Sequence, residues 1–96
     1  MKTQQQPHIN VRADMGTVGI AGVLMQHLRV NNYAPVELRG IGPGAVNQAV
    51  KGMAIAFEKL RQERGVLLVC TPRIEDGNDK EGGSVSRVSL LVEVRP

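Results

Sequence analysis

Residues 40–44 read Gly-Ile-Gly-Pro-Gly, and the chain changes its period on either side of them. Before the block, Val36, Leu38 and Gly40 alternate with Glu37, Arg39 and Ile41, the spacing of a short strand. After it, Val46, Val50, Met53, Phe57 and Leu60 recur at helical spacing, so a helix is predicted from Pro43 to about Arg64, with Gly65 as its C-terminal cap. Glycines permit the sharp reversal from strand to helix, and Pro43 pre-sets the first helical turn. A second stripe on the same helix, Ala45, Ala49, Gly52 and Ala56, is made of small residues only. This helix is built to be approached closely.

A glycine-rich helix entry also suggests a phosphate loop. The block is not G-x-G-x-x-G, and no Gly-Lys-Ser/Thr follows, so neither the dinucleotide nor the Walker pattern matches. Pro43 also removes one of the amides that would face an anion. What remains is a set of amides at a helix start with Asn47 and Gln48 nearby, able to meet a backbone phosphate.

Around this unit the pattern is simple. "HINVRA" alternates, with Ile9, Val11 and Ala13 on one side, and reads as a half-buried strand. "TVGIAGVLMQHLRV" is a helix with Val18, Ala21, Leu24, Met25 and Leu28 at helical spacing and Asp14 or Thr17 as its cap. Gly19 and Gly22 lie inside it, each costing about 1 kcal/mol relative to alanine, and close approach by a neighbour is the expected compensation. "VLLVCTPRI" is apolar at consecutive positions and reads as a strand covered on both faces, with Cys70 as a buried core thiol. "EDGNDKEGG" reads as a turn-rich hairpin tip. "SVSRVSLLVEV" returns with Val88, Leu90, Val92 and Val94 inward and Arg87, Ser89, Leu91, Glu93 and Arg95 outward.

The expected fold is thus β-α-β-α-β-β, an α/β (α+β two-layer) sandwich with two helices on one face of a four-stranded mixed sheet. Residues 1–7 read as a disordered or frayed start, and residues 8–96 as one domain. In that arrangement Leu91, with either Leu67 and Val69 or Leu68 and Cys70, points to the face that the helices leave uncovered. Leu67, Val69 and Leu91 are the candidate contacts of a homo-oligomer, a dimer or tetramer.

Composition excludes several function classes. With one Phe, one Tyr and no Trp, stacking of bases on aromatic rings is not available as a mode of recognition. His8, His27 and the single cysteine lack the spacing of a metal site or a catalytic set. "DGNDKEGGS" fails as a calcium loop because Lys80 and Glu81 fall where a ligand and the turn glycine are needed. The chain therefore reads as non-catalytic, without metal or cofactor and with no small-molecule substrate evident. No apolar run is long enough to span a bilayer, no signal peptide is visible, and a lone cysteine fits a reducing compartment, so the expectation is a cytoplasmic protein. The net charge of +3 is uneven. Glu75, Asp76, Asp79 and Glu81 make the hairpin acidic and leave the body more basic.

Three blocks, "VRADMGTVGIAGVL", "ELRGIGPGAVNQAVKGMAIA" and "VLLVCTPRIE", resemble the bacterial stage V sporulation protein S family, over about Val11 to Arg95. The resemblance implies an Alba-like fold with the same element order, and a sporulation or cell-division role. Through the Alba relationship it also implies binding of DNA or RNA by a dimer. In Alba proteins lysines after the first strand and a basic hairpin contact the nucleic acid; here that loop is "RADMG", with Asp14 in the lysine's place, and the hairpin is acidic. The resemblance thus points to a nucleic-acid-binding regulator using Arg12, Arg39, Lys51 and Arg87, with Asn47 and Gln48, as sequence-independent phosphate contacts. The competing reading is a homo-oligomeric interaction protein that binds no nucleic acid.

Overall fold

The computed structural model describes residues 6–78 and 82–96. Six elements run in the order β1 (His8–Val11), α1 (Thr17–Val30), β2 (Val36–Ile41), α2 (Pro43–Arg64), β3 (Leu67–Asn78) and β4 (Ser84–Arg95). The sheet order is β1-β2-β4-β3: β1 lies parallel to β2, and β4 runs antiparallel to both of its neighbours. Both helices sit on one face, giving a slab 18 Å across its short axis.

The core lies between the helices and the two central strands. Val36 and Leu38 of β2 face Val92 and Leu90 of β4, and all four are buried. Against them α1 buries Ile20, Ala21, Leu24, Met25 and Leu28, and α2 buries Ala45, Ala49, Gly52, Ala56 and Leu60. Burying a leucine or valine of this kind stabilises the fold by about 1.5–3 kcal/mol.

The glycine-proline block behaves as its residue types require. Gly42 adopts φ 89°, open to glycine and strained for other residues, and Pro43 occupies the first turn of α2. Gly40 is close-packed beneath the same helix, since a Cβ there would lie 3.1 Å from the Ala45 Cβ.

Several expectations change. The inward face of α1 is rotated: Val18 is 68 % exposed and Ile20 takes its place in the core. Every position from Val18 to Met25 is apolar or glycine, so spacing there gives too little contrast to set the helix's phase. Nor does any neighbour approach Gly19 or Gly22, both of which have open space where a Cβ would stand. The close approach falls instead at Gly52 of α2, where a Cβ would lie 2.5 Å from Ile20 Cγ2. On α2 the small-residue stripe faces the core; of the larger stripe, Leu60 is buried, Met53 packs partly against the core, and Val50 is 46 % exposed. Asp14 and Thr17 do not cap α1, whose N-cap is Gly16 with no side-chain hydrogen bond.

β3 is an edge strand, not one covered on both faces. Leu68 packs partly against the core, but Cys70 to Gly77 are exposed, because the two helices do not extend over the far half of the strand. Cys70 is therefore a surface thiol and not a core one. The strand also runs on through the acidic stretch to Asn78, where Ser86 Oγ donates to Asp76 Oδ1 at 2.8 Å. Asp79 to Glu81 of the hairpin tip lie outside the described residues.

Candidate nucleic-acid interface

The C-terminal ends of the parallel strands β1 and β2 open onto the helix-free face of the sheet. Asn10 to Ala13, Arg39 to Ile41 and Arg87 line a concavity of about 350 Å³ there. Three arginines that stand far apart in the sequence meet around it. Arg12 comes from the loop after β1, Arg39 from β2 and Arg87 from β4. The antiparallel register explains two of them, since Arg87 pairs with Ile41 and Ser89 with Arg39. Residues two apart on one strand share a face, so Arg39 and Arg87 lie diagonally across the same surface.

Each of these guanidinium groups is held by a carboxylate that does not line the concavity. Arg12 Nε donates to Asp14 Oδ1 at 3.1 Å, Arg39 Nε donates to Glu37 Oε1 at 2.7 Å, and Arg87 Nη2 donates to Glu75 Oε1 at 2.9 Å. The first pair is largely exposed and contributes little. The second is the most enclosed of the three, with both side chains only 19 % exposed. Glu37 and Arg39 are two apart on β2 and so share its outer face. In the third pair the Arg87 guanidinium, by hydrogen bond and by charge, holds the Glu75 carboxyl below its ordinary value.

The pairs leave donors unused. Neither Arg12 nor Arg39 has a hydrogen bond from its Nη atoms among the described residues, because both carboxylates engage Nε. Arg87 Nε is buried and has no partner among the described residues. A buried donor without an acceptor costs about 1–3 kcal/mol, more when charged, so this corner of the sheet is short of acceptors. The helix starts add to the same sign. Gly16 and Gly42 begin α1 and α2 close by in the chain, neither helix has a side-chain cap, and neither has an acidic residue in its first turn.

The remaining candidates lie elsewhere. Asn47 and Lys51 are exposed on α2 and do not line the concavity. Gln48 has a structural task, its Nε2 donating to the Met15 carbonyl at 2.7 Å and tying α2 to the loop before α1. Leu67, Val69 and Leu91 do share the helix-free face, since Val69 pairs with Glu93 and Thr71 with Leu91. His8, His27 and Cys70 sit on three different elements, and among the described residues no group of three His, Cys, Asp or Glu is placed to hold a metal ion. No helix of the described residues is long and apolar enough to cross a membrane.

Sequence reasoning missed the three carboxylate partners of the arginines. The Glu37–Arg39 pair was legible, since alternation puts both on one face. The Glu75–Arg87 pair was not, because it depends on hairpin register. Asp14, placed by the sequence where a phosphate-binding lysine would stand, turns out to engage Arg12 and not to line the concavity.

The family model described as Stage V sporulation protein S (SpoVS) matches residues 8–95. Among solved structures, Alba from Thermoplasma volcanium superposes with a TM-score of 0.57 at 15 % identity, covering 88 % of this chain and 99 % of that one. At that identity the likeness is one of fold.

Proposed function

Because the chain belongs to the stage V sporulation protein S family and has an Alba-like fold, we propose that it is a non-catalytic regulatory protein that binds nucleic acid through backbone phosphates. The observation that carries this reading is the convergence of Arg12, Arg39 and Arg87 on one concavity with an unpartnered Arg87 Nε. Guanidinium groups match phosphate oxygens in geometry as well as charge, and contacts to phosphate carry no base information. The want of aromatic rings there fits the same conclusion. Binding is independent of sequence and strongly dependent on salt. The acidic residues of the hairpin keep that arm away from the strand, so the grip is confined to the strand ends of β1 and β2. We place the protein in the cytoplasm, where a lone exposed thiol stays reduced.

Fluorescence anisotropy with labelled DNA and RNA tests this. Affinity is expected at low salt and a steep loss towards physiological salt; no anisotropy change at low salt with folded protein refutes the reading.

A second reading is favoured by a different observation. Leu67, Val69 and Leu91 lie on the sheet face that no helix covers, and Leu67 is 49 % exposed. Such a face suits a second copy of the chain, giving a dimer or tetramer that acts in sporulation or division through protein contacts. Light scattering distinguishes this from a monomer, and an oligomer that gives no anisotropy change with DNA or RNA at low salt favours this reading over the first.

A further inference from the structure

The concavity is more than a patch of positive charge, and its shape narrows what fills it. A duplex offers a convex ribbon of phosphodiesters, each carrying about one negative charge, which meets a surface along its rim. A recess of about 350 Å³ instead suits a group that can enter it, and it lies at the small end of the range for small-molecule sites, about 300–1,000 Å³. Inorganic phosphate alone leaves most of that space empty.

The walls carry two kinds of group. The lining includes Arg12, Arg39 and Arg87, with the Nη atoms of the first two unbonded among the described residues and the Nε of the third buried without a partner among them. Among them stand Val11, Ala13 and Ile41, the last 59 % exposed and paired in register with Arg87. Each guanidinium keeps donors free beyond its own carboxylate, and a phosphomonoester, with three acceptor oxygens and about −1.5 to −2 charges near neutral pH, engages more of them than a phosphodiester does. The apolar side chains suit a sugar or a base. With no ring present, a base can lie only against an aliphatic side chain or a guanidinium plane, which discriminates little between bases.

We infer that this concavity is a binding pocket for one nucleotide bearing a terminal phosphomonoester, supplied either as a free nucleoside monophosphate or as the 5′-phosphorylated end of a strand. The choice of a nucleotide rests on the nucleic-acid reading above. The three arginines hold the phosphate, and Ile41 with Ala13 receives the ribose and base.

The test uses the full chain, isotopically labelled, with adenosine monophosphate, uridine monophosphate, adenosine and inorganic phosphate as separate probes. A parallel anisotropy series compares a short oligothymidylate carrying a 5′-phosphate with the same strand ending in a 5′-hydroxyl. Both monophosphates are expected to shift the amide resonances of Asn10 to Ala13, Arg39 to Ile41 and Arg87. Adenosine is expected to leave them in place and phosphate to bind about tenfold more weakly than either monophosphate. The 5′-phosphorylated strand is expected to bind about tenfold tighter than its hydroxyl counterpart, and Arg39→Gln or Arg87→Gln to abolish both effects while the chain stays folded by circular dichroism. A response to the monophosphates alone identifies the free nucleotide as the ligand, and discrimination between strand ends alone identifies the strand end. Unshifted resonances together with equal affinities for the two strands overturn the pocket, as does inorganic phosphate binding as tightly as the monophosphates. The nucleic-acid reading then stands if both strands bind at low salt, and falls with it if neither does.

Discussion

Replacing Gly52 with alanine tests whether the two helices are packed as described. In an ordinary helix interior this change is favourable, by up to about 1 kcal/mol. Here the new Cβ would lie 2.5 Å from Ile20 Cγ2, 2.8 Å from Ile20 Cβ and 3.3 Å from the Thr17 carbonyl oxygen. Carbon atoms prefer separations of about 3.5–4.0 Å, so α1 has to move outward by most of an ångström or Ile20 has to leave its rotamer. Overpacking of this kind costs about 1–3 kcal/mol and outweighs the gain in propensity. With a contact as short as 2.5 Å the cost falls in the upper part of that range, about 2–3 kcal/mol, and the net is a destabilisation of about 1–2 kcal/mol, or roughly 4–16 °C in Tm for a domain of this size. Gly22→Ala is the matched control, because nothing lies within 4 Å of the Cβ it adds. It is expected to raise stability by about 0.5–1 kcal/mol. Gly52→Val extends the series in the unfavourable direction. Thermal and urea unfolding followed by circular dichroism give all three values. A Gly52→Ala protein that melts at or above the wild-type temperature refutes the packing of α1 on α2 described above.

On the proposed function, three arginines per chain set the salt dependence of duplex binding. Three phosphate contacts give a slope of about −2.7 in log K against log salt, or a roughly fortyfold loss for a fourfold rise in salt. Arg39→Gln or Arg87→Gln is expected to flatten the slope by about 0.9, while Lys51→Gln, outside the concavity, leaves it unchanged in an anisotropy titration. Leu91→Asp is expected to reduce an oligomer to a smaller species by light scattering, and an unchanged mass shows that assembly uses another surface. The Glu75 carboxyl is held below its ordinary value by Arg87. Its contribution to stability is therefore present above the unfolded-state value of about 4.3 and is lost as pH falls through the lowered one. In Arg87→Gln the carboxyl resonance is expected to titrate back towards the ordinary range.

The sequence by itself determined the elements. Alternation in "VELRGI" and "SVSRVSLLVEV", helical spacing from Pro43 to Arg64, and the glycines at 42 and 65 each act within a few residues, so local geometry is enough to place them. It also determined the family, through blocks of contiguous residues. Where a run is all apolar or glycine, as over Val18 to Met25 of α1, or every second strand neighbour unknown, as in β3, the local signal was insufficient. Which side of α1 faces inward, why Gly52 and not Gly22 is the point of close approach, and why Cys70 is exposed all depend on which elements lie opposite. Only the tertiary structure decided those points.

The candidate site divides in the same way. That Arg39 shares a face with Glu37 follows from a spacing of two. That Arg12, Arg39 and Arg87 stand around one recess follows from parallel pairing of β1 with β2 and antiparallel pairing of β2 with β4, a register that no residue encodes alone. The glycine-proline block, which on sequence matched no nucleotide-loop pattern and read as a strand-to-helix turn, contributes Gly40 and Ile41 to the lining of the recess. It reverses the chain from Ile41 into α2, while the three arginines around the recess come from the loop after β1, from β2 and from β4. Charge was written in the sequence; its convergence was written in the sheet, because long-range pairing, not local propensity, fixes which strand ends meet.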